Sequence, residues 1–216
     1  MTKKKAEEIM QLFDRLYPDA GPELDFVNPY ELLVAVILSA QCTDVRVNQV
    51  TKVLFDEAPD AYALENMTID RLEAIIKPCG LYKSKAKNLS GTAHLLVEQY
   101  DGEVPSDHDA LKALPGVGQK TANVVVSNAF GQPAIAVDTH VFRVSNRIGL
   151  VKAKTVEETE KQLRKLLPKD RWSKAHHQLI FHGRRVCKAR KPNCGECLIA
   201  PHCAYYKTIS GESNHA

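Results

Sequence analysis

The sequence predicts an all-α fold, and three observations predict it. Apolar residues recur at helical spacing along most of the chain, no stretch sustains the period-two alternation of a strand, and short polar or Gly/Pro connections separate the helical pieces. With 216 residues and 44% hydrophobic composition, the chain can bury a core as one domain or as two small domains sharing a cleft.

The elements follow in order. Met1 to Lys5 are charged and lead into a helical pattern rather than an apolar signal-peptide core, so no secretory signal is expected. Asn28-Pro29 sets a cap and a first-turn proline ahead of Glu31 and an apolar run to Ala40, which predicts a buried helix with a defined start. The longest apolar run, Leu32 to Leu38, falls far short of the roughly 20 residues of a membrane span, and a cytoplasmic location is expected. Helical patterns recur over 44–57, 68–77 and 82–100. Ser106 suits the cap of a short helix running to Ala113, and the next helix covers 118–130. The apolar run Ala134 to Val137 ends at Asp138-Thr139-His140, where Asp138 suits an N-cap and helical periodicity resumes through Ile148. Thr155 with Glu158 forms a capping box for 155–166, Pro168 stops that helix, and a last one covers 172–187. Lys207 to Ala216 are expected to fray, with 212–216 a disordered tail.

Four of the six cysteines, Cys187, Cys194, Cys197 and Cys203, are spaced Cys-x6-Cys-x2-Cys-x5-Cys. Thiolates this close in sequence converge on one soft metal centre, and the central Cys-x2-Cys turn aims two sulfurs at the same point. The spacing by itself accepts zinc or an iron–sulfur cluster. Disulfides compete only in an oxidising compartment, which nothing in the sequence suggests. Cys42 and Cys79 lie in helical apolar patterns and read as small buried hydrophobes. The formal net charge is only +3, so a nucleic-acid partner has to be argued from placement. Between Arg184 and Lys191 five of eight residues are basic, interleaved with the first cysteine.

Leu114-Pro115-Gly116-Val117-Gly118 joins two helices. Two glycines flanking one apolar residue allow a tight turn, with Val117 plugging inward and the amides of the following helix pointing out. Such amides bind anions, and on DNA the anion is a backbone phosphate. Lys120 falls in the first turn of that helix, where the dipole disfavours a cation, so loss of its proton to give a nucleophilic amine is eased, further so by desolvation.

Taken together, Leu114 to Ala122, Val137-Asp138-Thr139-His140-Val141 and the four-cysteine loop resemble the endonuclease III family of helix-hairpin-helix DNA glycosylases. The resemblance covers nearly the whole chain, since Leu38-Ser39-Ala40-Gln41-Cys42-Thr43-Asp44 and Gly80-Leu81-Tyr82-Lys83-Ser84-Lys85-Ala86 also match family motifs in family order. It implies two helical domains flanking a DNA-binding cleft: 22–132 with the hairpin at about 107–130, and 1–21 plus 133–211 with a cluster loop at 187–203. It implies a [4Fe–4S] cluster on Cys187, Cys194, Cys197 and Cys203. It implies a bifunctional DNA glycosylase and abasic-site lyase that flips out oxidised pyrimidines and nicks the strand by β-elimination. Lys120 is then the nucleophile and Schiff-base former, with Asp138 across the cleft assisting base departure. Gln41 and Leu81 fill the hole left by the flipped base. Gly116, Val117 and Gly118, together with Lys188, Arg190 and Lys191, hold phosphates, and Asp44 and His140 line the lesion pocket.

The implied partner is duplex DNA with damaged pyrimidines or abasic sites, bound by a monomer in the nucleoid of a prokaryote. Two relatives compete. The adenine glycosylase acting opposite oxidised guanine lacks a lysine at the position of Lys120 and carries an added C-terminal domain, and thymine-mismatch glycosylases also tend to lack the lysine. A purely DNA-binding hairpin-and-metal module would need neither Lys120 nor Asp138.

Overall fold

The computed structural model describes residues 1–211, and every regular element in that range is helical. In chain order the α-helices are α1 (Lys3–Leu16), α2 (Pro29–Leu38), α3 (Asp44–Glu57), α4 (Ala61–Asn66), α5 (Ile69–Ile76), α6 (Tyr82–Tyr100), α7 (His108–Ala113), α8 (Gln119–Phe130), α9 (Thr139–Ile148), α10 (Val156–Leu166), α11 (Trp172–Arg185) and α12 (Ala204–Ile209). They fall into two compact units, Pro22–Gln132 and Met1–Gly21 with Pro133–Ala216. Among the described residues no helix is long and apolar enough to cross a membrane.

In the middle unit α2 is the central rod. Asn28 starts it, its Oδ1 accepting from the Glu31 amide at 2.8 Å, while the Glu31 carboxylate accepts from the Val27 amide at 2.8 Å. Leu32 through Leu38 are all buried. Each such side chain removed from water contributes roughly 1.5–3 kcal/mol, which is why a ten-residue helix of low amphipathicity is held all round by neighbours. It packs on α8, α3 and α6, while α4 and α5 cover α6.

In the other unit α9 is the hub, touching α10, α11 and α12. The chain's start returns to the same core, with Ile9, Met10 and Phe13 of α1 buried among Val141, Val144, Leu163 and Leu179. Asp14 fastens α1 to α11. Its carboxylate accepts from Arg171 Nη1 at 2.7 Å and Gln178 Nε2 at 3.0 Å, with Lys174 Nζ at 3.3 Å.

Several boundaries differ from those predicted. Asp107, not Ser106, caps α7, because its carboxylate accepts from two amides, those of Asp109 and Ala110. The capping box at Thr155 is displaced: Thr155 takes the Glu158 amide, but Glu158 reaches the Lys154 amide rather than that of Thr155. α2 stops at Leu38, so Gln41 does not close a helix but stands in a left-handed turn at φ 54°. Cys42 is half-buried in that same turn and Cys79 lies in a 3-10 turn after α5, so neither is inside a regular α-helix. The predicted fray from Lys207 is instead the end of α12, anchored by the Lys207 amide on the Cys203 carbonyl at 3.3 Å. Residues 212–216 lie outside the described range. α4, too short for a periodic signal, was not expected.

Burial pushes the Asp14 carboxyl up, but its donors outweigh this and hold it below the ordinary carboxylate value. A depressed carboxyl contributes stability above its unfolded pKa and loses it as pH falls through the folded one. Asp14→Asn is therefore expected to cost about 1 kcal/mol, a fall in Tm of about 3 °C at pH 7. Thermal melts of both proteins should converge as pH drops below about 4, and a gap that stays constant there would remove Asp14's charge from the account.

Candidate functional site

The hairpin of the middle unit is built on one close approach. Gly116 has φ +77°, and a Cβ placed there would lie 2.8 Å from Asn88 Nδ2 and 3.0 Å from Asn88 Cβ. Only glycine meets both demands. The Pro115 carbonyl accepts from Thr92 Oγ1 at 3.0 Å, and Val117 turns inward, 7% exposed. His108 Nε2 meets Asn123 Oδ1 at 3.0 Å and so joins α7 to α8. Gly118 differs from Gly116. Its φ is −94°, and nothing lies within 4 Å of a built Cβ. Packing within the protein does not require glycine there, although a backbone that must meet a phosphate closely would.

Lys120 stands exposed in the first turn of α8. The desolvation expected for it is thus not found.

Gln41 and Leu81 are both exposed, at the tips of two turns, and a buried lysine connects the stems of those turns. Lys85, 4% exposed, donates from Nζ to the Leu38 carbonyl and to the Cys79 carbonyl, each at 2.9 Å. Arg46 Nη1 adds a bond to the Pro78 carbonyl at 3.4 Å. Asp44 is half-buried at the start of α3, close to the Gln41 turn in sequence. Among the described residues, the non-glycine residues with left-handed φ are Gln41, Leu81, Lys191 and Asp101. Three of these four are predicted DNA contacts, and the fourth ends α6. Strain of this kind persists where surrounding structure enforces it, and it clusters at ligand clamps.

In the second unit Asp138 is half-buried and caps α9, its Oδ1 accepting from the Val141 amide at 2.8 Å. This bond fixes the carboxylate's orientation. His140 is half-buried two residues on, with Nδ1 3.1 Å from Arg143 Nη2.

All four loop cysteines are free thiols lining one cavity with Ile148, His182 and Ile199. Among the described residues no three His, Cys, Asp or Glu side chains converge on a single-ion point. A thiol-walled cavity suits a cluster whose irons each take one thiolate. Burial pushes the Cys194, Cys197 and Cys203 thiols up, and neighbouring cysteines push the same way. Amides answer part of this: those of Ile199 and Ala200 bond Cys197, and those of Tyr205 and Tyr206 bond Cys203. His182, pushed down to about 4 by burial, is neutral. Its Nδ1 lies 3.0 Å from the Tyr17 hydroxyl and its Nε2 3.6 Å from Cys197 Sγ, so the ring links the two.

The sequence reading missed two arginines. Arg143 donates to the Cys187 carbonyl at 3.1 Å and the Gly183 carbonyl at 2.9 Å. Arg147 donates to the Lys188 and Ala189 carbonyls at 2.7 and 2.9 Å, lies 3.6 Å from Cys187 Sγ, and rests 4.9 Å over the Tyr205 ring. Their i, i+4 spacing on α9 was the available signal, since it puts both guanidiniums on one helix face. They hold the loop's backbone from inside, which leaves Lys188, Arg190 and Lys191 exposed. Arg147→Ala should keep all four thiolates yet loosen the loop. Loss of iron to a chelator, followed by visible absorbance, is expected to run several-fold faster than in the wild type, and an unchanged rate would deny Arg147 this role.

Residues 34–169 match the model of HhH-GPD superfamily base excision DNA repair proteins, and residues 187–203 match that of the iron-sulfur binding domain of endonuclease III. Endonuclease III of Escherichia coli strain K12 is 48% identical over 209 residues, which is 97% of this chain and 99% of that one. Endonuclease III of Bacillus subtilis strain 168 is 51% identical over 203 residues, 93% of this chain and 92% of its own. Among solved structures, a trapped endonuclease III–DNA covalent intermediate superposes with a TM-score of 0.93 at 47% identity, covering 97% of this chain and 99% of its own. A thermostable thymine-DNA glycosylase, at 24% identity and a TM-score of 0.84, shares the fold. The chain carries a [4Fe–4S] cluster, and the matched iron-sulfur binding domain spans all four loop cysteines. The chain belongs to the endonuclease III family of helix-hairpin-helix base excision DNA repair proteins.

Proposed function

We infer that this DNA glycosylase and abasic-site lyase removes oxidised or ring-saturated pyrimidines from duplex DNA, with Lys120 as nucleophile. One observation carries the reading: a lysine stands exposed at the head of the hairpin's second helix, in a chain 48% identical to an endonuclease III over nearly its full length. The neutral Lys120 amine attacks C1′ of the flipped nucleotide, and the base leaves with the electron pair of the glycosidic bond and takes up a proton. Asp138, pinned by the Val141 amide, supplies negative charge to the developing positive sugar. The ring opens to a Schiff base between Lys120 and C1′, which acidifies C2′–H. Loss of that proton expels the 3′ phosphate and nicks the strand, and water then frees the lysine.

The DNA contacts follow from the same arrangement. Gly116, Val117 and Gly118 bring the amides of α8 to a phosphate, and Lys188, Arg190 and Lys191 neutralise others. Gln41 and Leu81 occupy the space of the extruded base, Gln41 bonding the orphaned partner and Leu81, 60% exposed, wedging between steps. Asp44 and His140 contribute to the lesion pocket. The protein acts as a monomer on nucleoid DNA. Bound, the cluster ties the four cysteines of the 187–203 loop together, and the exposed cations depend on that closure.

Incubation with duplex DNA carrying one thymine glycol, with and without borohydride, tests the chemistry. The wild type should nick the strand and leave a covalent adduct on a denaturing gel, and Lys120→Ala should do neither. Base release that persists in the mutant without trapping would make the enzyme monofunctional and the assignment wrong.

Two further measurements probe binding. Gly118→Ala is expected to leave Tm within about 1 °C, since the Cβ meets open space, yet to weaken DNA binding about tenfold because it intrudes on the phosphate. Lys191→Ala should make the log–log salt dependence of binding shallower by about 0.9. An unchanged slope would mean that Lys191 meets no phosphate.

A further inference from the structure

Cys42 follows Gln41 directly, and Cys79 precedes Leu81 by two residues. The stems of both turns are held side by side by Lys85, whose Nζ bonds the Leu38 and Cys79 carbonyls, and by the bond from Arg46 to the Pro78 carbonyl. In that clasp Cys42 neighbours Cys79 closely enough to act on its ionisation, both thiols unoxidised, with Cys42 half-exposed and Cys79 2% exposed. They lie far in sequence from the cluster cysteines and play no part in the chemistry at Lys120. We propose that Cys42 and Cys79 are a dithiol modification site, which a low-molecular-weight disulfide such as oxidised glutathione converts to an intramolecular disulfide that holds the Gln41 and Leu81 turns out of position for duplex DNA.

The site has the parts that thiol–disulfide exchange needs. Cys42, the accessible partner, attacks as thiolate on one sulfur of oxidised glutathione, forming a mixed disulfide and expelling one glutathione thiolate, which takes up the Cys42 proton. Cys79 then attacks the Cys42 sulfur and expels the second glutathione. Two protein thiols are oxidised to one disulfide, and one glutathione disulfide is reduced to two thiols. Burial, and then the neighbouring Cys42 thiol, pushes Cys79 up to about 11, while the Lys85 ammonium and Arg46 pull it down. The buried thiol is therefore slow toward outside reagents and serves as the resolving partner, with cations at hand for its thiolate.

Closing the bond draws the two sulfurs together to about 2.05 Å. The movement falls on Gln41 and Leu81, both already held at left-handed φ. Displacing a positioning group by about 1 Å costs on the order of 100-fold in rate. A loss of about tenfold or more in nicking of a duplex lesion is expected, with recovery on reduction.

The functional consequence rests on the wedge roles proposed above for Gln41 and Leu81, so the experiment separates the two. Purified cluster-bearing protein is equilibrated with oxidised glutathione under nitrogen, with the cluster's visible absorbance confirming that it stays intact. Peptides are mapped by mass, and nicking is measured before and after dithiothreitol. The proposal expects a Cys42–Cys79 cross-linked peptide, a nicking rate at least about tenfold lower, and recovery on reduction. Cys79→Ala should retain the reduced-state rate and be insensitive to glutathione. Absence of the cross-linked peptide, or a cross-link that leaves nicking unchanged, overturns it. Gln41→Ala and Leu81→Ala, assayed in the reduced state, test the wedge roles on their own: full activity in both would discard that reading whatever the cysteines do.

Discussion

Backbone carbonyls in irregular segments must find donors, and in this chain long cationic side chains supply them. A fold made of short helices has many ends, and within the helix each N-terminal end leaves amides and each C-terminal end leaves carbonyls without partners. At the N-terminal ends, side chains such as Asn28 and Asp107 accept from the free amides. The Gln41 and Leu81 turns and the cysteine loop are not simple caps. Lys85 takes two carbonyls at the first place, and Arg143 and Arg147 take three between them at the second, with Arg143 also bonding the Gly183 carbonyl in the last turn of α11. A buried ammonium is costly without hydrogen-bond partners, so the two carbonyl bonds of Lys85 also limit how far either stem can shift.

This constraint explains why backbone strain and predicted DNA contact coincide. Gln41, Leu81 and Lys191 hold left-handed backbone that non-glycine residues avoid. Each follows a segment whose carbonyls are fixed by Lys85 or Arg147 within a few residues. The fixed segment enforces the turn, and the turn puts the side chain outward where glycine would offer nothing to a base or phosphate. Gly116 shows the opposite solution. There the backbone itself must pass Asn88 closely, and a side chain is excluded.

Much of this was legible in the sequence, and what escaped has physical causes. Periodicity and caps located the long helices to within a few residues because burial of one face and satisfaction of the first amides are local in sequence. The hairpin was legible because its two glycines, its inward valine and the lysine after them are contiguous. The capping competition at Ser106-Asp107 was not, since adjacent residues both cap well and only geometry shows that Asp107 reaches two amides. Lys85 could be quoted within a motif but not assigned, because its partners, Leu38 and Cys79, are 47 and 6 residues away. Arg143 and Arg147 escaped for the same reason, bonding backbone some 40 residues on. The helical reading of Cys42 and Cys79 failed because apolar composition was taken for regular structure, although tight turns also bury small side chains.

The formal net charge of +3 does not describe the local field at the cysteine loop. Four thiolates bring negative charge into a half-buried loop, and burial already pushes three of those thiols toward their neutral form. Arg143 and Arg147 stand against that charge, with Arg147 3.6 Å from Cys187 Sγ. They compensate it locally while spending their donors on the loop's backbone. The exposed Lys188, Arg190 and Lys191 then project a field that is not cancelled from beneath, over the roughly 8 Å that physiological salt allows. A sum over the chain counts inward and outward cations alike. On the reading proposed above, the outward set is what a DNA backbone would meet, left exposed because the inward set holds the loop's backbone.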